Sequence, residues 1–243
     1  MAPGIVCLTS GGIDSTTMLY WLRKWRPQYL PLVALSVTYG QKHNKEVIAA
    51  EKIANAAGAQ FRSVDISGVG ALLKSALTRD YIEVPKDEYT SATLAQTVVP
   101  SRNLLFLALA AGLATSLDMH RVAIAVHAGD HPVYPDCRPA FLHDAEGALQ
   151  HYDRLMTIFA PFKHVPKEGI VLVGLELGVP FELTWSCYEG NERPCLRCST
   201  CVERTKAFMS CHTTDPALSR AEWSVAVSVV RTKQPGEQLR FEL

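Results

Sequence analysis

The sequence predicts an α/β protein: a parallel sheet covered by helices on both faces, with a small metal-type module near its C-terminus. Three observations carry this expectation. Apolar runs of strand character alternate with helical patterns through the first half of the chain. A glycine turn sits directly between the first apolar run and the first helical pattern. Four cysteines gather late in the chain at the spacing C-x7-C-x2-C-x2-C.

The elements follow in order. Ile5-Val6-Cys7-Leu8 is an unbroken apolar run, as expected of a strand buried on both faces. Thr16-Thr17-Met18-Leu19-Tyr20-Trp21-Leu22 continues beyond the glycine turn as a helix. Leu32–Thr38, rich in Val and Leu, is a second strand. Asn44 to Ala57 reads as a helix, with Val47, Ile48, Ala50, Ile53 and Ala54 on one face and Gly58 as its stop. Phe61 to Ile66 is a third strand. Gly68 to Arg102 is irregular, and a loop this long in a compact domain is commonly a lid or binding loop. Leu104 to Leu117 is a helix apolar on nearly all sides and is expected to be buried. Val122–Val126 is a fourth strand. In such sheets ligands sit at the C-terminal strand ends, where the glycine turn and the segments after Thr38 and Val126 would meet. At the end of the chain, Trp223 to Val230 favours a strand, Gln234-Pro235-Gly236-Glu237 a turn, and Gln238 to Leu243 alternates, which together suggest a hairpin. The expected division is an α/β domain at 1–180, a metal-binding module at 181–209 and an extension at 210–243.

Composition narrows the function classes. The 243 residues carry 24 basic and 24 acidic side chains, so no global basic field argues for nonspecific nucleic-acid binding. Met1 to Ile5 lacks the basic start and long apolar region of a signal peptide. The longest apolar run, Leu104 to Ala114, is shorter than the ~20 residues a bilayer requires. A soluble, cytoplasmic protein is the expectation, and there its seven cysteines point to metal or reactive thiols more than to disulfides.

The glycine turn, Ser10-Gly11-Gly12-Ile13-Asp14-Ser15, has the chemistry of an anion trap. Glycine backbones reach conformations closed to other residues, freeing N–H groups to converge on phosphate oxygens beside the positive end of a helix. Ser10, Ser15 and Thr16 add hydroxyl donors. Asp14 is repulsive beside phosphate unless it holds Mg²⁺ or orients the loop. SGGxDS after an N-terminal apolar strand resembles the pyrophosphate loop of the ATP pyrophosphatases, and the alternative G-x-x-x-x-G-K-[ST] loop is absent.

Cys187, Cys195, Cys198 and Cys201 match a tetrahedral four-thiolate site, with Pro194 ahead and a helix behind. With four sulfurs no coordination position stays open, so the role is structural. Zinc and an iron–sulfur cluster both suit such a set. Cys7, Cys137 and Cys211 are left over.

More specific are Tyr39-Gly40-Gln41-Lys42-His43, the run Val99-Pro100-Ser101-Arg102-Asn103-Leu104-Leu105-Phe106-Leu107, and Tyr134-Pro135-Asp136-Cys137-Arg138. Together with the loop and the cysteines, from about Ile5 to about Phe208, they resemble the 7-cyano-7-deazaguanine synthase family. The resemblance implies an adenine nucleotide alpha hydrolase-like fold, structural zinc, and Mg²⁺ with ATP. It also implies a homodimer, and a reaction joining 7-carboxy-7-deazaguanine to ammonia through an adenylate and an amide, ending in a nitrile on the route to queuosine-type bases. Thr9, Ser10, Gly11, Gly12, Ile13, Asp14, Ser15, Thr16, Thr17, Met18 and Leu19 would hold ATP, with Asp14 and Arg102 catalytic.

Several residues keep two readings. Arg102 is a fork for phosphate or carboxylate, or a salt bridge at a helix start. Asp136 accepts from the N1–H and 2-amino edge of a guanine-like base, or caps the helix that follows it. Tyr134 would stack on the base, and Arg138 would meet the substrate carboxylate or pair with an acidic neighbour. Lys42, His43 and Lys167 carry weaker functional readings. His127, Asp130 and His131 lie past a strand end as polar contacts or a proton shuttle. Ser101 stands where the family often has glycine, and the extension is longer than in the plain biosynthetic enzyme. Both features leave room for a relative that transfers the activated acid to an amine of a partner protein. An RNA-base modifying pyrophosphatase and a zinc-knuckle binding module are further alternatives. The neutral charge and the Tyr134–Arg138 motif count against the first; the intact loop and Arg102 count against the second. No amidotransferase domain is recognisable, so free ammonia or a separate donor is implied.

Overall fold

The structure, a computed structural model, describes residues 3–79, 81–86 and 94–233. Its strands are β1 (Ile5–Leu8), β2 (Leu32–Thr38), β3 (Gln60–Asp65), β4 (Arg121–Ala123) and β5 (Thr157–Phe159). Its helices are α1 (Ile13–Trp25), α2 (Lys45–Ala57), α3 (Ser67–Gly70), α4 (Arg102–Ser116), α5 (Pro139–Gln150), α6 (Lys167–Glu176), α7 (Ser199–Ser210) and α8 (Arg220–Lys233). The strands form one parallel sheet in the order β3-β2-β1-β4-β5.

The period-two alternation of strands divides the core into two layers. Ile5 and Cys7 of β1, with Leu32 and Ala34 of β2, face a layer built by Met18 and Leu22 of α1, Ile53 of α2, Ile170 of α6 and Phe208 of α7. Val6 and Leu8, with Val33 and Leu35, face Leu107 and Ala110 of α4 and Leu142 of α5. Both faces of β1 and β2 are therefore buried, which is why these segments read as continuous apolar runs. Gly58 ends α2 in the left-handed region at φ 66°, as its position after Ala57 predicts.

Four expectations are corrected. The fourth strand is shorter than Val122–Val126, and β5 carries too short an apolar signal to stand out in the sequence. Ile48, expected on the buried face of α2, is 45% exposed. α4 is not buried all round: Leu107, Ala110, Ala111 and Ala114 are covered, but Leu104 is 46% exposed. The C-terminal hairpin is also overturned, because Trp223 to Val230 lies within helix α8. A capping box overrides the strand preference of Val225, Val227, Val229 and Val230. Ser219 Oγ accepts from Glu222 N at 3.3 Å, and Glu222 Oε2 accepts from Ser219 N at 2.8 Å. Ala226 and Val230 then bury one helical face. The turn and second arm proposed for that hairpin, 234–243, lie outside the described residues.

One buried ion pair ties the C-terminal third together. The Arg204 guanidinium of α7 donates to both carboxylate oxygens of Asp215, to Thr184 Oγ1 at 2.7 Å, to Ser186 Oγ at 3.4 Å and to the Phe181 carbonyl at 3.1 Å. Asp215 is 1% exposed, so its removal strands a charge in the interior. Asp215→Ala should destabilise the fold by about 3–5 kcal/mol in denaturant unfolding; a loss below about 1 kcal/mol would contradict this role.

Ser101 begins α4 in the left-handed region at φ 56°, and its side chain makes no capping hydrogen bond. An L-residue there costs about 1–2 kcal/mol of backbone strain, which glycine avoids. Ser101→Gly should raise stability by about 1 kcal/mol, read from the denaturant midpoint; a fall would mean the hydroxyl matters more than the strain.

Candidate functional site

Strand order reverses between β1 and β4, and a crevice opens there at the C-terminal strand ends. It holds a cavity of ≈ 330 Å³ walled by the ends of β1 and β2 and by Ile124, Ala125 and Val126, which follow β4. The glycine loop crosses its floor. Gly11 takes φ +81°, and a Cβ there would lie 2.6 Å from the Glu46 carbonyl and 2.7 Å from Ala50 N, so only glycine lets the loop rest on α2. Hydroxyls brace the turn internally: Ser15 Oγ accepts from Ser10 N at 3.2 Å, and Thr16 Oγ1 donates to the Gly12 carbonyl at 2.7 Å.

Thr9, Ser10, Gly12, Ile13, Asp14 and Ser15 line the cavity. Gly11 faces α2, Thr16 and Thr17 are buried, and Met18 and Leu19 belong to the core. These five support the loop from behind. Arg102 lines the wall at the start of α4. Burial works against its charge, but Tyr39, Tyr188, Cys137 and Asp136 around it more than compensate, and the guanidinium is held charged. Tyr134 also lines the wall, its hydroxyl 3.0 Å from Thr97 Oγ1. Asp136 and Arg138 are not among the lining residues. Asp136 Oδ2 accepts from Asn103 N at 3.0 Å, so it caps α4 across the fold and not the helix that follows it. Arg138 Nε donates to the His131 carbonyl at 2.9 Å.

Lys167, at the first position of α6, is more central than its sequence context suggests. Its Nζ lies 2.6 Å from Asp14 Oδ2 and 3.5 Å from Glu203 Oε2. Burial opposes its charge, but Asp14 and Glu203 outweigh that and raise its pKa. Asp14 Oδ1 is buried with no hydrogen-bond partner. Buried His127 accepts at Nδ1 from Gly129 N (3.1 Å), which places its proton on Nε2, facing Asp130 Oδ1 at 3.4 Å and Glu203 Oε1 at 3.7 Å. Burial pushes the Asp130 carboxyl up, against the pull of His127. His131 lies outside the wall.

Glu46, Trp185, Tyr188 and Glu203 complete the cavity, and sequence reasoning did not single them out. Two signals were available: Glu46 stands three residues after His43 in the strand-to-helix segment, and the others flank the cysteines. Burial raises the Glu46 carboxyl to about 7, against the pull of Arg102.

The ligand atoms of Cys187, Cys195, Cys198 and Cys201 all lie within 4.8 Å of one another. Sulfurs around one tetrahedral ion sit about 3.8 Å apart at the usual Zn–S length, so the set fits a metal. Backbone N–H groups support it: Cys187 Sγ accepts from Cys195 N at 3.3 Å, and Cys195 Sγ accepts from Cys198 N at 3.3 Å. The knuckle is joined to the glycine loop. Trp185 N donates to the Gly11 carbonyl at 2.9 Å, and Trp185 Nε1 donates to the Cys187 carbonyl at 2.8 Å. His43 Nε2 lies 2.9 Å from the same carbonyl. Among the described residues, no helix is long and apolar enough to cross a membrane.

A parallel sheet with an SGGxDS glycine loop at its switch point and a four-cysteine knuckle braced against that loop defines an α/β protein of the pyrophosphate-loop class. Residues 4–212 match the family model described as Queuosine biosynthesis protein QueC, and the chain belongs to that family. The 7-cyano-7-deazaguanine synthase of Archaeoglobus fulgidus is 44% identical over 226 residues, covering 92% of this chain and 93% of the relative. That of Caldicellulosiruptor bescii is 43% identical over 212 residues, 87% of this chain and 95% of the relative. That of Brucella anthropi is 40% identical over 218 residues, 88% and 91% of the two chains.

Cys198→Ser should lose bound metal and lower the melting temperature together, and through Trp185 it should weaken ATP binding as well. Elemental analysis and a thermal melt check this; a metal-free variant of unchanged melting temperature would contradict it.

Proposed function

We propose that this protein converts 7-carboxy-7-deazaguanine and ammonia to 7-cyano-7-deazaguanine at the expense of ATP. The observation that carries this reading is one crevice, in a member of this family, holding a glycine loop, two half-buried cationic side chains and a group of acids. A carboxylate is inert to amines because its oxygen leaves poorly. Attack of the substrate carboxylate on the α-phosphorus expels pyrophosphate and gives an acyl adenylate. Ammonia then attacks the acyl carbon, AMP departs with one carboxylate oxygen, and the amide remains. Adenylation of the amide oxygen by a second ATP allows that oxygen to leave as AMP, with loss of two protons, forming C≡N.

The chain's own groups divide this work. The loop N–H groups that are not spent inside the turn, at the positive end of α1, hold the phosphates. Arg102 and Lys167 stabilise the charge that builds on the α-phosphate and the departing pyrophosphate. Asp130 and Glu203 receive the proton released by the attacking ammonia, and His127 fixes Asp130 in place. Mg²⁺ bound with ATP supplies charge neutralisation, and Asp14, with its unpartnered Oδ1, is the residue to hold it. Zinc is the metal assigned to the four cysteines, where a closed sulfur shell gives a structural role. Ligase chemistry on free ammonia in a cytoplasmic homodimer completes the reading.

The relatives favour the nitrile over an enzyme that stops at transfer to a protein amine. The hairpin that would have served as a docking surface is helix α8 in its first part.

Mass spectrometry of the metal-loaded protein with Mg²⁺-ATP, an ammonium salt and the acid should detect the nitrile. An amide as the final product would favour the transfer reading, and an unconsumed acid would contradict both. Asp14→Asn should lower turnover by about 10²-fold or more in steady-state kinetics; near-normal activity would remove Asp14 from the chemistry.

A further inference from the structure

Four carboxyl groups line the cavity: Asp14, Glu46, Asp130 and Glu203. Three have cationic or imidazole partners: Asp14 and Glu203 meet Lys167 at 2.6 and 3.5 Å, and Asp130 meets His127 at 3.4 Å. Glu46 differs, because among the described residues nothing donates a hydrogen bond to it. Arg102 acts on it only through space, and burial has taken away much of its water. An acceptor kept half-dry without donors has an unmet demand that a ligand can fill.

Its surroundings indicate the ligand's shape. Tyr39, Trp185 and Tyr188 also line the cavity, aromatic surroundings that suit a planar bicycle. Arg102 lines the cavity as well, a cation to meet that bicycle's acidic substituent or phosphate. An ionised carboxylate is acceptor-only, with two oxygens that match two donors side by side. The N1–H and exocyclic 2-amino group of a guanine-like base form such a pair. Asp136, the sequence-based candidate for this contact, is committed to Asn103 N at 3.0 Å.

We propose that Glu46 is the specificity residue that reads the N1–H and 2-amino edge of the guanine-like base. This rests on the function proposed above. Adenine, which lacks both donors in that arrangement, would be turned away from the subsite, so the two purine-like ligands of one crevice are kept in separate places. Replacing Glu46 by Gln sets an NH₂ donor against the ligand's donors, turning attraction into a clash of like groups.

Calorimetric titration of the metal-loaded, full-length protein tests this with three ligands: 7-carboxy-7-deazaguanine, its analogue lacking the 2-amino group, and Mg²⁺-ATP. The wild-type protein should bind the acid about 30-fold more tightly than the analogue, and Glu46→Gln should weaken the acid about 30-fold, erase that preference, and leave ATP within about twofold. Glu46→Asp, which keeps the charge, should retain part of the preference. A Glu46→Gln protein that still discriminates, or loses ATP as badly as the acid, would overturn the assignment. So would a wild-type protein that binds the acid without discriminating, though the proposed function would stand. A wild-type protein that binds no acid would instead defeat the proposed function, and this inference with it. The two-ligand comparison on the wild type requires no variant to fold.

Discussion

The site depends on a single topological constraint: strand order reverses between β1 and β4. On either side of that reversal the crossover connections leave in opposite directions, and no element can fill the gap above the C-terminal strand ends. The glycine loop occupies that gap because it is the direct continuation of β1. α4, α6 and α7 each bring one end or face to its rim, supplying Arg102, Lys167 and Glu203. These side chains come from positions far apart in the chain, and only the parallel sheet brings them to one crevice.

The metal knuckle takes part in this arrangement through backbone groups. Its Cys187 carbonyl accepts from the Trp185 indole, and the Trp185 backbone N–H accounts for the Gly11 carbonyl. A loop that presents N–H groups to phosphate must turn its carbonyls elsewhere, and each buried carbonyl requires a donor. The knuckle supplies one. A metal held by the four cysteines would thus act on the loop without touching what the loop binds, by fixing the residue that satisfies its back.

Much of the fold was legible because buried parallel strands carry continuous apolar runs, as Ile5–Leu8 and Leu32–Thr38 do. The glycine turn and the clustering of the cysteines were legible because each needs particular residues at fixed short spacings. β5 escaped because three residues carry too little pattern, and α8 was misread because β-branched residues outweighed the capping box at Ser219 and Glu222. Within the site, Arg102 and Tyr134 stood in recognisable motifs and reach the cavity. Asp136 sat in such a motif too, yet its carboxylate is turned to a helix start 33 residues away in sequence. Glu46 and Glu203 had only their nearness to His43 and to the cysteines as a signal, and an acid on a helix is ordinarily a solvated one. Only the tertiary fold shows that these two face inward. The Asp14–Lys167 pair, 153 residues apart, belongs to the same class of information.

Oxygen tracing tests the central claim, that the carboxylate is activated by transfer of AMP in this crevice. The protein would be given 7-carboxy-7-deazaguanine labelled with ¹⁸O in its carboxylate, together with Mg²⁺-ATP and ammonium, and the products examined by mass spectrometry. The account predicts one labelled oxygen in the AMP released at each activation and none in pyrophosphate. Label in inorganic phosphate or pyrophosphate, or unlabelled AMP alongside amide or nitrile, would contradict it.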